Sequence, residues 1–431
     1  MSEIQPLPQF PPQRAPQHDQ QREQQRMGER MDDSCDDMPT VPIPARKVVT
    51  TFDAASSLEV KPPLTRLFRR TITKAFSVWL KFSTALVRSL DWYPRVEPYV
   101  GYGTEHYSRL ICRTVYGPFK RQAGRLIRGI RGMLMVPSPH TKVRIAIDDV
   151  PIETVQVGAS EVYDAIDSNP DISSEFAASD DAGYLDLVAE HSLEPGIHNV
   201  SYKVRSRKPV NANLFTIPSG TKVGVISDVD DTIMVTQAPR LMKAAYNLLL
   251  LNPRKKVPVA SMNLLFNRIA DMFPDAPFFY LSTSPWNVES SIRHFITNHG
   301  FPEGPLLLRD LDPRPKTFIP SGVQHKLEYA EQLMADFPDM KFILIGDDGQ
   351  KDPTTYATIA RRYPGRVLAI CIRQLTPREV AGNIGSVAGR ANTQPMPVTD
   401  VPVFTGATGS NIMKTMLPYL RATQAADGET D

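Results

Sequence analysis

The chain has 431 residues, of which 41% are hydrophobic and 22% are charged. This length and composition are typical of a globular protein with a buried core, and they leave room for two domains with tails. The formal net charge of +2 is close to balance, which excludes a global electrostatic attraction to nucleic acid. Cys35, Cys112 and Cys371 are far apart and lack a metal-type spacing, which is typical of a reducing compartment.

Residues 1–60 are predicted to form a disordered tail. Eight Gln and five Pro lie within the first 26 residues, and four aspartates follow at 32–37, so the segment has little apolar surface to offset the entropy of ordering. Such a Pro/Gln-rich tail could bind protein partners. We see no secretory signal and no apolar run of about 18 residues that could span a bilayer, so we expect a cytoplasmic protein.

Residues 61–95 contain a basic amphipathic helix at 61–90, where seven basic residues and no acidic residue occur. At about 100° per residue, one sector is apolar and the opposite sector is basic. The helix could lie in an anionic membrane interface, or it could pack its apolar sector on the neighbouring domain and leave its cations solvated. The apolar sector contains Phe68, Ile72, Ala75, Phe76, Trp79, Phe82, Leu86 and Leu90, and the basic sector contains Arg66, Arg70, Lys74, Lys81 and Arg88.

Residues 96–215 change to short alternating runs between turn residues, as at 142–147, 183–188 and 196–204. Several short strands at close spacing predict a small β-rich, sandwich-like or barrel-like domain. Its glycines show neither the dinucleotide-binding spacing nor the lysine-containing phosphate loop. We therefore assign this domain to support or docking.

Residues 216–380 alternate apolar strands with amphipathic helices. This pattern predicts an α/β domain with a parallel sheet covered on both faces, whose ligands bind beyond the carboxyl ends of the strands. Residues 381–431 are predicted to be a largely disordered tail with one helix near 411–422. The predicted strands are 223–226, 278–281, 305–308, 342–345 and 367–372, and the predicted helices are 261–272, 287–298, 324–337 and 353–363.

Three of these strands end in residues suited to phosphoryl chemistry. The first runs into Asp228, Asp230 and Thr232, which offer a nucleophile, a carboxylate for proton transfer and a hydroxyl that ties the turn. The second is followed by Ser282, and Lys326 opens the helix before the fourth strand, where it could reach a phosphate as a point charge. The fourth strand ends in the run GDDGQKD, which contains Asp347, Asp348 and Asp352.

Each of these residues also has an ordinary explanation. The acidic run could be only a turn, Ser282 a helix cap, Lys326 a solvated lysine, and the later aspartates loop or capping acids. The joint occurrence favours a phosphoryl-transfer site. Carboxylates from two strand ends would repel each other unless a hard cation lay between them, and oxygen ligands suit Mg²⁺. His294, His299 and His325 are interpreted as structural or solvated.

In this order the motifs resemble those of the haloacid-dehalogenase-like phosphatases. More narrowly, they look like the catalytic domain of the actin-patch-type Mg²⁺-dependent phosphatidate phosphatases and their bacterial relatives. The resemblance covers about residues 216–376 and implies a Rossmann-like parallel-sheet catalytic domain with an active site. The motifs that carry it are DVDDTI at 228–233, YLSTSPWN at 280–287, HKL at 325–327 and LIGDDGQKDP at 344–353.

The resemblance implies a role for each residue. Asp228 would attack the phosphorus atom and carry the aspartyl-phosphate, Asp230 would protonate the leaving alkoxide and then activate water, and Thr232 would brace the turn. Ser282 and Lys326 would bind the phosphoryl oxygens. The Mg²⁺ ligands would be Asp228, the backbone carbonyl of Asp230, and Asp347, with Asp348 or Asp352 as a further ligand, and spacing does not choose between these two.

The substrate follows from access to the site. The segments after the first and second motifs are each about 42 residues long, which leaves little beyond the helices that cover the sheet, so a bulky or membrane-embedded phosphomonoester could enter. We therefore predict a phosphatidate phosphatase that releases diacylglycerol and phosphate and contacts anionic membranes peripherally through residues 61–90. The alternatives are a phosphatase acting on a phosphoprotein or a soluble phosphomonoester, and a non-catalytic membrane or cytoskeletal adaptor.

Overall fold

The computed structural model describes residues 63–89, 92–117, 136–151, 155–156, 177–178, 183–204, 207–235, 257–309, 322–376, 379 and 397–428. The predicted N-terminal tail lies outside the described residues. The described ranges begin with helix α1 (Pro63–Ser89), continue with a ten-stranded sheet, and end with a six-stranded sheet and its helices.

The first sheet is built from short strands whose order is β5-β4-β9-β10-β2-β3-β8-β6, with β1 on β3 and β7 on β4. Every described pairing is antiparallel except that of β10 with β2. Val143 and Leu185 lie in one buried cluster although their strands are far apart in the sheet order, so the sheet curves back over its own core. The strands are β1 Tyr93–Pro98, β2 Gly101–Thr104, β3 Tyr107–Gly117, β4 Lys142–Ile147, β5 Val150–Pro151, β6 Val155–Gln156, β7 Ala177–Ala178, β8 Tyr184–Glu190, β9 Gly196–Lys203 and β10 Val210–Ile217.

The second sheet is parallel throughout and has the order β15-β14-β11-β16-β17-β18. It confirms the predicted α/β domain with a parallel sheet. Its strands are β11 Val223–Asp228, β14 Phe278–Pro285, β15 Leu306–Arg309, β16 Lys341–Asp347, β17 Val367–Arg373 and β18 Val403–Gly406, and a separate ladder pairs β12 Met234–Val235 with β13 Val257–Pro258. The helices are α2 Met262–Met272, α3 Glu289–Asn298, α4 Gly322–Asp336, α5 Asp352–Arg362 and α6 Gly409–Gly428.

Helices cover both faces of this parallel sheet because successive residues of a strand point to opposite faces. On β11, Val225 belongs to the cluster that contains Leu265 of α2, whereas Ile226 belongs to the cluster that contains Leu333 of α4 and Ile359 of α5. The near-continuous apolar runs of β11 and β16 therefore have apolar partners on both sides.

The prediction of a largely disordered C-terminal tail is wrong for residues 397–428. Strand β18 pairs with β17 as a further parallel strand, and α6 buries Ile412, Met416 and Leu420 in the core that α2 also lines. These three residues lie on one face of the helix at four-residue spacing. The predicted helix at 411–422 lies inside α6, but its partners are distant in the sequence, which is why the pattern alone did not show that it is packed.

The two sheets are joined by aromatic side chains of the first. Tyr99 stacks on Trp286 with ring centroids 4.5 Å apart, and Tyr102 packs against Phe279 of β14. The Tyr102 hydroxyl also donates to Asp336 Oδ2 at 3.1 Å. Phe279 lies in β14 and Trp286 directly follows it, so the β-rich region packs against the strand that leads into the site described next.

Helix α1 packs on the β-rich region by a face that lies beside the predicted apolar sector. Leu80, Ser83 and Val87 are buried, and Val87 lies in a small cluster with Tyr116 and Val136. In contrast, Val78, Phe82 and Leu86 are 68%, 68% and 48% exposed. We call these three residues the α1 stripe. The packed face therefore lies beside the predicted apolar sector, and the sector residues Trp79, Phe82 and Leu86 face outward.

Candidate active site

The turn after β11 holds its acidic residues in a fixed conformation. Asp228 ends the strand and is 1% exposed. The Thr232 hydroxyl donates to Asp228 Oδ2 at 3.2 Å, and the amides of Ile233 and Met234 donate to Val229 O and close the turn. Asp231 adopts a left-handed conformation with φ of 60°, which aspartate tolerates better than most side chains. Thr232 thus braces the turn by contacting the Asp228 carboxylate itself.

Hydroxyl groups from the end of β14 fix the Asp230 side chain. Ser282 Oγ and Ser284 Oγ each donate to Asp230 Oδ2 at 3.1 Å, and the Ser284 amide donates to Ser282 Oγ at 3.0 Å. The sequence predicts Ser282 as a site residue, whereas Ser284 stands there only as part of the motif YLSTSPWN. His325 is buried, with Nε2 3.1 Å from Ser282 O, so its position is structural and adjoins the site.

Lys326 lies between two carboxylates in the interior. Its Nζ is 2.7 Å from Asp228 Oδ1 and also hydrogen-bonds to Asp352 Oδ1, and the lysine side chain is only 3% exposed. Burial lowers the pKa of Lys326, but the charges of Asp228 and Asp352 outweigh this effect and raise the pKa above its ordinary value. The ammonium group is therefore charged at neutral pH and positioned beside the candidate nucleophile.

Three buried carboxylates meet around this lysine. One oxygen each from Asp228, Asp347 and Asp352 lies within 4.8 Å of the others. Burial raises the pKa of Asp228 to about 8, with the neighbouring Asp352 and Asp230 adding to the shift and Lys326 opposing it. Burial, together with Asp352 and Asp228, also raises the pKa of Asp347 well above its ordinary value. One lysine cannot neutralise three carboxylates. Because all the donor atoms of these carboxylates are oxygens, the three residues fit a hard divalent cation.

The structure distinguishes the two aspartates that spacing left open. Asp352, at the start of α5, lies in the carboxylate group and also accepts the Asp347 amide at Oδ2, 3.3 Å away. Asp348 is not in that group, and its Oδ1 accepts the Leu375 amide at 2.8 Å. Gly346 is required for this arrangement, since a Cβ there would come within 2.5 Å of Asp352 Oδ2.

Two further polar residues contact the site, and neither was singled out from the sequence. Gln350 Nε2 lies 3.0 Å from Asp230 O and 3.1 Å from Asp347 Oδ2. Arg373, which ends β17, donates to Asp231 O at 2.8 Å and forms a bidentate pair with Glu379. An arginine at the end of an apolar strand is a signal present in the sequence, whereas a glutamine in a loop carries no such signal.

With the exception of Asp348, the predicted site residues therefore meet at one edge of the parallel sheet. A turn of aspartates after the central strand β11, serines near the end of β14, a lysine on α4 and acids after β16 form the arrangement that the resemblance to haloacid-dehalogenase-like phosphatase domains implies. Residues 223–374 match the family model described as phosphatidate phosphatase APP1, catalytic domain. This match confirms the predicted resemblance of the segment to that family of catalytic domains. The residues brought together are Asp228, Asp230, Thr232, Ser282, Lys326, Asp347 and Asp352.

Two fungal relatives match parts of the chain. Phosphatidate phosphatase APP1 of Saccharomyces cerevisiae is 29% identical over 208 residues, which cover 47% of this chain and 35% of the relative. An uncharacterized protein of Schizosaccharomyces pombe is 26% identical over 184 residues, which cover 42% of this chain and 30% of the relative. The chain thus spans about a third of the length of these curated relatives.

Solved structures resemble the chain only weakly. An uncharacterized protein from Listeria monocytogenes serotype 4b is 12% identical with a TM-score of 0.30, over 46% of this chain and 99% of that one. The HAD domain of effector protein Lem4 from Legionella pneumophila is 13% identical with a TM-score of 0.24, over 38% of this chain and 97% of that one. The assignment of the domain therefore rests on the family match and on the geometry of the site.

Proposed function

We propose that this protein is a Mg²⁺-dependent phosphatidate phosphatase that hydrolyses phosphatidate to diacylglycerol and phosphate through an aspartyl-phosphate on Asp228. One observation carries the proposal: Asp228, Asp347 and Asp352 are gathered with Lys326 in a buried group at the carboxyl edge of the sheet. The family match of this segment and the APP1 relative support the choice of substrate.

The cation would be held by Asp228, Asp347 and the backbone carbonyl of Asp230. When bound, Mg²⁺ would supply positive charge that favours the ionised carboxylates and offsets the charge of the phosphoryl oxygens. That charge matters because burial raises the pKa of Asp228 to about 8, and only the ionised carboxylate is a nucleophile.

The chain's own residues account for both proton transfers. An oxygen of Asp228 forms a bond to phosphorus while the bond from phosphorus to the alkoxide oxygen breaks, and Asp230 donates a proton to that alkoxide. Asp230 then takes a proton from water as the water oxygen bonds to phosphorus and the bond to Asp228 breaks. The Ser284 hydroxyl, 3.1 Å from Asp230 Oδ2, keeps this carboxyl oriented for the two steps, whereas the Ser282 hydroxyl would turn from Asp230 Oδ2 to the substrate phosphate.

Lys326 and Ser282 would bind the phosphoryl oxygens. The lysine is already oriented, because Asp352 and Asp228 hold its ammonium group on two sides. A charge that is fixed before the reaction stabilises the transferring phosphoryl group without a cost of reorganisation. Asp352 therefore acts in this proposal chiefly by positioning Lys326.

The α1 stripe supports peripheral contact with an anionic membrane on the cytoplasmic side. Val78, Phe82 and Leu86 are exposed, and Lys74, Lys81 and Arg88 on the same helix are also exposed. A helix with outward-facing apolar residues and a basic sector suits the boundary between acyl chains and anionic head groups. No helix in the described ranges is long and apolar enough to cross a membrane. Such contact would bring the site to a lipid substrate.

The experiment is a phosphate-release panel with the purified full chain. Phosphatidate in mixed micelles, other phospholipids, phosphopeptides and sugar phosphates are each assayed with and without Mg²⁺. We expect Mg²⁺-dependent release that is fastest from phosphatidate, and a loss of at least about a thousandfold in Asp228→Asn because the nucleophile is removed. Faster turnover of a phosphopeptide or sugar phosphate would favour the other phosphatase readings, and equal rates for variant and wild type would favour the adaptor.

A further inference from the structure

Gln350 makes contacts that neither the fold nor the proposed reaction explains. Its side-chain nitrogen Nε2 is 3.0 Å from Asp230 O, 3.1 Å from Asp347 Oδ2 and 3.5 Å from Asp228 Oδ2. These oxygens come from the turn after β11 and from the end of β16. A primary amide has two N–H groups, so it shares them among three acceptors. The nitrogen is therefore located between the oxygens and does not serve one of them alone.

The orientation of the amide follows from the charges around it. Two of the three acceptors are carboxylate oxygens and the third is a carbonyl oxygen. Turning the amide over would bring its own oxygen against these three oxygens, which is repulsive. The NH₂ group, with its partial positive charge, is the only part of this side chain that suits the position.

The same oxygens are those that the proposed function assigns to the cation. A cation that binds all three would lie in the space that Nε2 takes, so the two cannot bind there together. From this overlap we infer that Gln350 is an internal competitor of the cation: its amide holds the three oxygens together, and cation binding requires the side chain to rotate away. This inference rests on the cation site of the proposed function.

The surroundings of Gln350 leave room for that rotation. Its side chain is half-buried, so one side of it is open to solvent. The carboxylate of Asp347 is held independently, since the Gly349 amide donates to Asp347 Oδ1 at 2.8 Å. The loop can thus keep Asp347 in place while the glutamine side chain leaves.

A competitor lowers the apparent affinity for the cation by the fraction of molecules in which the site is closed. Removing the amide should therefore tighten cation binding, whereas removing a ligand or loosening the structure would weaken it. The direction in which the Kd for the cation changes therefore distinguishes a competitor from a ligand and from a residue with a merely structural role.

The test is a titration of the full chain with Mn²⁺ followed by electron paramagnetic resonance, which needs no turnover. In Gln350→Ala and in Gln350→Met, which keeps the length without the donors, we expect the Kd for Mn²⁺ to fall by about tenfold. Gln350→Lys would place an ammonium group among the same oxygens and should weaken Mn²⁺ binding. Thermal unfolding in chelator should begin at a lower temperature in Gln350→Ala, and saturating Mn²⁺ should remove most of that difference.

The matched control is Gln332→Ala, which loses an amide–carboxylate hydrogen bond to Asp336 away from the three oxygens and should leave the Kd unchanged. An unchanged or weaker Kd in Gln350→Ala and Gln350→Met overturns the inference but leaves the cation site intact. If wild type and Asp347→Asn bind Mn²⁺ equally poorly, the proposed cation site fails and the inference fails with it.

Discussion

Two regions of this protein depart from the usual burial of side chains, and they do so in opposite directions. At the carboxyl edge of the parallel sheet, Asp228, Lys326 and Asp352 are ionisable groups with almost no exposure. On α1, Val78 and Phe82 are apolar side chains that are each 68% exposed. Soluble proteins normally bury apolar groups and expose charges, so each region costs stability that another interaction must offset.

The regions differ in where the compensation comes from. The sheet edge is largely compensated inside the protein, because Lys326 pairs with two carboxylates and hydroxyl groups satisfy Asp230. The α1 stripe faces solvent, so its compensation must come from outside the chain. A preorganised site can act on a small ligand, whereas an exposed apolar stripe only adds affinity for a surface.

The largest effect on stability should follow from removing the lysine that pairs with the buried carboxylates. Lys326→Met leaves Asp228 and Asp352 without their cation, and a buried charge without its partner costs about 3–5 kcal/mol of unfolding free energy. Urea unfolding in the presence of chelator measures this loss.

Lys341→Met is the matched control, because Lys341 is exposed at the opposite end of β16 and its loss should change stability by less than about 0.5 kcal/mol. Adding Asp352→Asn to Lys326→Met should recover part of the lost stability, since one unpaired carboxylate is removed. A loss below about 1 kcal/mol in Lys326→Met would mean that the carboxylates are compensated without the lysine.

A smaller effect is expected at a buried acid outside the site. Glu289 at the start of α3 is buried, and this burial raises its pKa to about 7, with Arg293 opposing the shift and Glu97 adding to it. The folded state thus holds a proton that the unfolded state releases near pH 4.5. The wild type should therefore lose stability as the pH rises from about 4.5 to 7, by about 3 kcal/mol at most.

Glu289→Gln removes this titration and keeps a hydrogen-bonding side chain. Its stability relative to the wild type should increase between pH 5 and pH 8, as measured by chemical unfolding at each pH. Glu303→Gln, at an exposed position, serves as the control, and its stability relative to the wild type should not change with pH. A difference between Glu289→Gln and the wild type that does not change with pH would contradict the assigned burial effect.

The smallest effects should separate the two faces of α1. Val87 packs against Tyr116 and Val136, so Val87→Ala should lower the unfolding free energy by about 1–2 kcal/mol. Phe82→Ala should change it by less than about 0.5 kcal/mol but weaken binding to anionic liposomes by about tenfold, because a buried phenylalanine contributes roughly 1.5–3 kcal/mol.

Sedimentation with anionic and with neutral liposomes measures that binding. Equal liposome binding by Phe82→Ala and wild type would remove the membrane role of the stripe. A large loss of stability in Phe82→Ala would show instead that the stripe is covered within the protein.

Much of the α/β domain could be predicted because its signals are local. The predicted strand at 342–345 lies within Lys341–Asp347, and the predicted helix at 353–363 nearly coincides with Asp352–Arg362. An apolar run that is buried on both faces and a helix with a regular apolar period are visible within a few residues. The C-terminal strand β18 was missed because a four-residue strand at Val403–Gly406 has too little pattern of its own.

The sequence by itself determined which residues gather at the site, because Asp228, Ser282, Lys326 and Asp347 each follow or adjoin a recognisable element and parallel strands bring their carboxyl ends to one edge. Only the tertiary structure decided which side chains complete it. Asp352 rather than Asp348 joins the carboxylate group, Arg373 reaches Asp231 across 142 residues of sequence, and part of the apolar sector of α1 stays exposed. These outcomes depend on contacts between elements far apart in the chain, and a local period cannot encode the partner that each face meets.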